Sequence, residues 1–146
     1  MRTIPGLVVS DFMVRNPECA ELWKPLSFIR QQMLANSYSY LPVVRSSDDE
    51  PNPSKKWKIV SDASIAQFLG PQRSGEDRIK RLSKTLQEAI DEVPEICVSA
   101  LVIPDNAQIS EALDNLEKQG VMLVKHKDRH KDSHELVGIL TAFDLL

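Results

Sequence analysis

The chain has 146 residues, enough for one compact domain or for two small units that share a core, and too few for a large separate catalytic domain. Its net charge of -3 provides no basic surface of the kind that binds nucleic acid. No apolar run approaches the roughly 20 residues that span a bilayer, and the opening residues lack a signal-peptide pattern, so we expect a cytoplasmic protein with no membrane partner.

The first half of the chain predicts a strand, a helix, two more strands and the start of a second helix. Apolar residues recur at helical spacing between Pro25, which opens the first helix, and Asn36, near which we expect it to end. Strands are predicted at residues 19–22, 41–44 and 57–60, and the polar residues 45–56 predict an exposed connection. Ser61 and Asp62 are expected to start the next helix, since either side chain can cap its free backbone N–H groups.

An apolar stripe in the middle of the chain predicts one linker helix. Its members recur at three- and four-residue intervals: Ile79, Leu82, Leu86, Ala89, Ile90 and Val93. Such a stripe packs on the core of its own chain or forms a subunit contact, and the sequence leaves both open. The basic residues of this region predict a solvated face rather than an anion site: Arg73, Arg78, Lys80, Arg81 and Lys84.

The second half of the chain predicts the same order of elements. A strand at residues 99–103 is followed by a turn and by a helix that Gly120 closes. Strands at residues 121–124 and 136–140 flank a charged loop. Thr141 then begins a short final helical turn.

An internal repeat relates the two halves. A shift of 80 residues places Ile29 on Ile109, Ile59 on Ile139 and Ser61 on Thr141 without a gap. We therefore predict an α/β fold of two β-α-β-β-α repeats, packed with pseudo-twofold symmetry. The first repeat is predicted at residues 1–70, a linker helix at residues 71–95 and the second repeat at residues 96–146.

Two segments carry a resemblance to a known family. Residues 41–44, Leu-Pro-Val-Val, and residues 138–146, Gly-Ile-Leu-Thr-Ala-Phe-Asp-Leu-Leu, resemble the tandem CBS-domain pair, or Bateman module. That resemblance implies a regulatory, non-enzymatic protein that needs no cofactor. It also implies that AMP, ADP, ATP or S-adenosylmethionine binds in a cleft between the repeats.

The same resemblance implies roles for particular residues. Asp144 would accept both ribose hydroxyls, Thr141 would contact phosphate and Ile139 would pack on the base. Tyr38 and Ser39 of the other repeat would line the adenine slot. Thr141 and Asp144 are also ordinary residues for the start of a helix, so a cap without a ligand is the alternative.

The first repeat departs from the family pattern. Ser64 stands where an aspartate would follow Ser61 by three residues, so Ser61 and Ser64 predict a weaker second site. In the second repeat Met122 replaces the proline found at Pro42, and no basic residue directly precedes Val121. We therefore do not expect tight binding of a triphosphate.

The remaining reactive side chains favour no other chemistry. His126, His130 and His134 lie four apart in a stretch rich in cations, which predicts a solvated loop rather than a metal site. Cys19 and Cys97 are predicted to be buried, reduced thiols. No common catalytic motif is present in the sequence, so we expect no enzyme. We expect a homodimer that senses an adenosyl ligand, and the alternative is a ligand-free dimerisation or protein-interaction module.

Overall fold

The computed structural model of the chain describes residues 7–44, 57–126 and 136–146. These described residues form a mixed α/β fold with five α-helices and two β-sheets, which confirms the predicted class. Residues 45–56 and 127–135, where the sequence predicts exposed connections, lie outside the described residues. In chain order the elements are β1 (Val14–Arg15), α1 (Leu26–Asn36), β2 (Tyr40–Val44), β3 (Trp57–Ser61), α2 (Asp62–Leu69), α3 (Gly75–Ser83), α4 (Leu86–Glu92), β4 (Cys97–Ser99), β5 (Val102–Pro104), α5 (Ile109–Gln119), β6 (Val121–Lys125) and β7 (Leu136–Thr141).

The chain divides into two compact units. The central unit holds residues 18–44 and Trp57–Ser99, and the terminal unit holds residues 7–17, 100–126 and 136–146. The terminal unit combines both ends of the chain, because β1 pairs with β7 there, whereas the described residues of the central unit, including the paired strands β3 and β4, follow one another along the chain. The boundaries predicted for the repeats and the linker therefore differ from the limits of these units, and they stay a prediction.

Helix α1 forms as the sequence predicts. Pro25 stands at its N-cap with extended backbone, and the side chains of Leu26, Ile29 and Met33 are buried on one face. The helix ends at Asn36 because Ser37 takes the left-handed conformation, with φ of 56°.

The central sheet has the order β2-β3-β4 and is antiparallel throughout. Its β2–β3 pairing confirms the strands predicted at residues 41–44 and 57–60. The strand predicted at residues 19–22 is wrong, since only Ala20 makes a bridge there, to Val43. The Ala20 N–H donates to the carbonyl of Pro42, and this isolated parallel bridge does not extend into a ladder among the described residues.

The predicted single linker helix is also wrong, because the chain breaks it into α3 and α4. Lys84 and Thr85 adopt extended backbone between the two helices. The start of α1 and the residues just before it hold this region in place: the Leu26 N–H donates to the Lys84 carbonyl at 2.8 Å, and the Leu86 N–H donates to the Lys24 carbonyl at 3.0 Å. These tertiary hydrogen bonds replace the helical bonds that a continuous helix would have made.

The apolar stripe of the linker packs mainly on the core of its own unit. Leu86 and Ala89 on α4 are fully buried, and Leu82, Ile90 and Val93 pack against the same core. Ile79 on α3 is the exception, with 68% of its surface exposed. Most of the stripe therefore packs in the central core, and the large apolar side chain of Ile79 remains exposed to solvent.

The terminal sheet has the order β1-β7-β6-β5. Helix α5 connects the parallel strands β5 and β6, and it ends at Gly120, whose φ is 81°, as predicted. Ala112 and Leu116 of α5 pack into a core with Ile103 and Leu140.

The strand predicted at residues 99–103 is wrong in its length. The structure contains two short strands there, β4 in the central sheet and β5 in the terminal sheet, because the chain passes from one unit to the other at Ala100. The short final turn after Thr141 is confirmed as a 3-10 turn at Ala142–Leu145.

Candidate functional site

Thr141 and Asp144 form a hydrogen-bonded pair at the end of β7. The backbone N–H of Thr141 donates to Oδ2 of Asp144 at 2.8 Å, and the Thr141 hydroxyl donates to the same oxygen at 3.2 Å. Thr141 is extended and the 3-10 turn follows it at once, so the carboxylate caps the start of this turn. The cap predicted as the alternative role is therefore present, and the two side chains are already oriented toward each other.

Ile139 lies two residues before Thr141 on the same strand. Its side chain is 8% exposed, and its strand neighbours are Val14 on β1 and Leu123 on β6. Residues two apart on a strand point to the same face of the sheet. Ile139 and Thr141 thus provide an apolar and a hydroxyl group on one face of β7.

Tyr38 and Ser39 lie in the central unit, beside the start of α2. The carbonyl of Ser39 accepts the N–H of Asp62 at 2.9 Å, and the following residue, Tyr40, pairs with Ser61 across the sheet. Tyr38 is half-buried against the central core, whereas Ser39 is exposed. The structure therefore places Ser39 beside the start of α2 and packs Tyr38 on the central core, whereas Thr141 and Asp144 belong to the terminal unit.

Ser61 and Ser64 hydrogen-bond each other at the N-terminus of α2. The Ser61 hydroxyl accepts the Ser64 backbone N–H at 3.1 Å, and the two hydroxyl oxygens are 2.8 Å apart. Asp62, the nearest carboxylate in the sequence, is exposed and accepts the N–H of Ala63. Two neutral hydroxyls thus stand where the second repeat has a hydroxyl and a carboxylate.

A cavity of about 290 Å³ opens beside Ser64 within the central unit. Helix α2 contributes Ser64, Gln67 and Phe68 to its wall, and two arginines, Arg73 and Arg81, also line it. The sequence interpretation placed both arginines on a solvated face. That prediction is wrong for Arg81, whose side chain is 17% exposed, because it packs over Phe68 and pairs with Glu92. The spacing of the residues gave no signal for this arrangement, since it depends on how α3 packs on α2.

Comparison with known proteins identifies the fold. No family model matches the chain, and no curated protein matches its sequence. A CBS domain-containing protein of unknown function from Bacillus anthracis is similar in structure, with a TM-score of 0.68 and 18% identity over 95% of this chain and 89% of that chain. CBSX2 in complex with AMP has a TM-score of 0.64 and 21% identity, covering 96% and 94% of the two chains. The chain has the CBS-domain fold.

A further solved structure extends this likeness. The CBS domain of the bacterial CNNM/CorC family Mg2+ transporter, in complex with ATP, has a TM-score of 0.64 and 16% identity to this chain. The matched region covers 94% of this chain and 83% of that chain. The CBS-domain fold therefore accounts for both units rather than for one of them.

The two cysteines of this CBS-fold chain are poorly suited to reactive thiol chemistry. Burial raises the pKa of the Cys97 thiol to about 11, against a smaller opposing effect of Lys58. Burial, with a contribution from the Glu21 carboxylate, also raises the pKa of Cys19. A raised pKa disfavours the thiolate that nucleophilic or metal-binding chemistry requires. Cys97 is buried as predicted, and Cys19 is half-buried.

Two other predictions concern regions that are only partly described. Of the three histidines, His126 is described, while His130 and His134 lie outside the described residues, so the choice between a solvated loop and a metal site stays a prediction. In the described part of this CBS-fold chain, no helix is long and apolar enough to cross a membrane.

Proposed function

We propose that this chain is a regulatory module that binds an adenosine-containing ligand, AMP, ADP, ATP or S-adenosylmethionine, and has no catalytic role. The observation that carries the proposal is the oriented Thr141–Asp144 pair next to Ile139, in a chain with the CBS-domain fold. Two similar structures, 21% and 16% identical to this chain, contain AMP and ATP, which supports an adenine nucleotide as the ligand class.

The chemistry of the pair suits a ribose. Both donors of Thr141 reach Oδ2 of Asp144, and within the described residues no hydrogen bond reaches Oδ1. A carboxylate has about four acceptor positions, so it can cap the turn and still accept hydroxyl groups of a diol. Thr141 would contact a phosphate and Ile139 would pack on the base.

Tyr38 and Ser39 are proposed as contacts of the adenine ring. Ser61 and Ser64 are proposed as a weaker second site. That site lacks a carboxylate to accept the ribose hydroxyls, so it binds an adenosine ligand less tightly than the Asp144 site.

The decisive test compares the two sites by calorimetry. Each charge-assisted hydrogen bond contributes roughly 1.5 to 3 kcal/mol, so Asp144→Ala is expected to weaken binding of AMP about tenfold or more. Ser64→Ala is expected to change affinity less than about twofold. Asp144→Asn provides a matched control, since it keeps an acceptor for the cap but removes the charge, and it should bind as weakly as Asp144→Ala while remaining folded by circular dichroism. If AMP, ATP and S-adenosylmethionine all fail to bind the folded wild type at millimolar concentration, the sensor proposal is wrong.

A ligand-free dimerisation or protein-interaction module is the second candidate. It is favoured by the cap itself, which gives Asp144 a structural role without a ligand. It is also favoured by large apolar side chains left exposed in the central unit: Trp23, Phe28, Leu34 and Ile79. We propose a homodimer under either candidate function.

A further inference from the structure

The cavity beside Ser64 combines one face of α2 with two arginines. Ser64, Gln67 and Phe68 are spaced three and four residues apart, so they share one side of the helix. Arg73 and Arg81 line the same cavity, together with the apolar residues Val93 and Ile96. The cavity therefore joins neutral hydrogen-bonding groups, an apolar wall and two permanent positive charges.

Arg81 is fixed in place by three contacts. Its Nη1 donates to the carbonyl of Phe68 at 3.0 Å, its Nη2 donates to Glu92 at 3.2 Å, and its guanidinium carbon lies 4.5 Å from the centre of the Phe68 ring. A guanidinium has five N–H donors, and these two hydrogen bonds use two of them. Arg81 thus brings an immobilised cation to the cavity wall.

Arg73 reaches the cavity across Gly70. An added Cβ at Gly70 would lie 2.8 Å from Nε of Arg73, and the φ of Gly70 is 67°, a conformation that glycine adopts without strain. The glycine therefore allows the Arg73 side chain to lie close to the backbone at the end of α2. Unlike Arg81, Arg73 is exposed and is placed to meet a ligand that enters from solvent.

The local charges favour an anion of limited size. Glu95 also lines the cavity, so the wall carries two arginines against one carboxylate. Glu92 is engaged by Lys84 and Arg81, and the Lys84 hydrogen bond lowers its pKa. Small-molecule sites usually measure roughly 300 to 1,000 Å³, so a cavity of about 290 Å³ suits a ligand at the small end of this range.

We propose that this cavity binds the phosphate group of a small monophosphorylated ligand, with Arg73 and Arg81 as its cationic contacts and Ser64 and Gln67 as neutral ones. The inference rests on the proposed function for the adenosine part of the ligand, but the phosphate contact does not depend on it. On this proposal the second site is not a weak copy of the Asp144 site, because it selects ligands that carry a negatively charged phosphate group.

The test uses orthophosphate and the full chain at constant ionic strength, followed by two-dimensional amide NMR. Orthophosphate is expected to shift the amide signals of Gln67, Arg73 and Arg81 in the wild type. Arg73→Gln is expected to weaken binding about three- to fivefold, because an exposed ion pair contributes modestly. Arg78→Gln is the matched control, because Arg78 is an exposed arginine of α3 that does not line this cavity. Its replacement should change the affinity for orthophosphate less than about twofold.

The outcomes separate this inference from the proposed function. Absence of shifts at these amides, or equal losses in Arg73→Gln and Arg78→Gln, would overturn the phosphate site. Orthophosphate should bind Asp144→Asn as it binds the wild type. If orthophosphate binds the cavity while adenosine and AMP leave the Asp144 site unchanged, only the proposed function fails. If AMP binding depends on Asp144 and orthophosphate does not reach the cavity, only the phosphate site fails.

Discussion

Asp144 and Ser64 occupy matching positions 80 residues apart and offer a ligand different groups. Asp144 caps the turn through one carboxylate oxygen, whereas the hydroxyl of Ser64 hydrogen-bonds that of Ser61. The pairing of Thr141 with Asp144 could be predicted from the sequence, because residues three apart at the start of a helical turn lie within hydrogen-bonding distance. The sequence could not decide between cap and ligand, since one carboxylate can perform both roles.

Arg81 illustrates what sequence spacing does not reveal about the site. Its hydrogen-bond partners, Phe68 and Glu92, are 13 and 11 residues away and lie on other helices. A run of basic residues ordinarily predicts a solvated face. The packing of α3 on α2 overrides that expectation for Arg81, and this packing depends on tertiary contacts that no local pattern encodes.

Cys97 should make the stability of the chain sensitive to alkaline pH. Its pKa rises from the usual 9.0 to about 11 on folding, so the folded state binds the thiol proton more tightly than the unfolded state. This contribution is complete below about pH 9 and is lost as the pH approaches about 11. We expect the free energy of unfolding of the wild type, measured with urea relative to Cys97→Ala, to fall across this window. A difference that stays constant from pH 8 to pH 11 would contradict the expectation.

At the scale of elements, helix α4 was recognisable in the sequence but its beginning was missed. Thr85 and Glu88 form a capping box, in which the Glu88 N–H donates to the Thr85 hydroxyl at 3.1 Å and the Thr85 N–H donates to Glu88 at 3.3 Å. A threonine followed three residues later by a glutamate before an apolar stripe is a known start signal. The stripe itself continues through the break, so periodicity alone predicts one helix where two exist.

Thr85→Ala should destabilise the chain more than the equivalent change at α3. The N-cap of α4 holds a helix that buries Leu86 and Ala89, so its loss is expected to cost about 1 kcal/mol of unfolding free energy. Ser74 caps α3 in the same way, but α3 has no fully buried residue and can fray without opening the core. Ser74→Ala is therefore expected to cost less than about 0.5 kcal/mol. Urea denaturation of both variants measures the difference, and equal losses would show that α4 does not depend on its cap.

At the scale of the whole molecule, the internal repeat predicted the number and order of most elements. It did not predict that β1 joins the sheet of β7, or that β4 joins the sheet of β3. These pairings join strands that come from different sequence repeats. Short strands such as β1 and β4 carry little local pattern, so their partners follow from the tertiary fold rather than from their own residues.

Ile79 provides the test of the proposed homodimer. It is 68% exposed on α3, while most of the same apolar stripe is covered by the central core. A large apolar side chain gains free energy when a partner covers it, and a twofold interface would use the same surface on both chains. Light scattering at micromolar concentration is expected to give twice the chain mass for the wild type and a shift toward one chain mass for Ile79→Glu. Gln87→Glu adds the same charge at an exposed position of α4 without removing apolar surface, so it should remain a dimer. A wild type that scatters as a single chain, or a Gln87→Glu variant that dissociates as fully as Ile79→Glu, would exclude this surface as the interface.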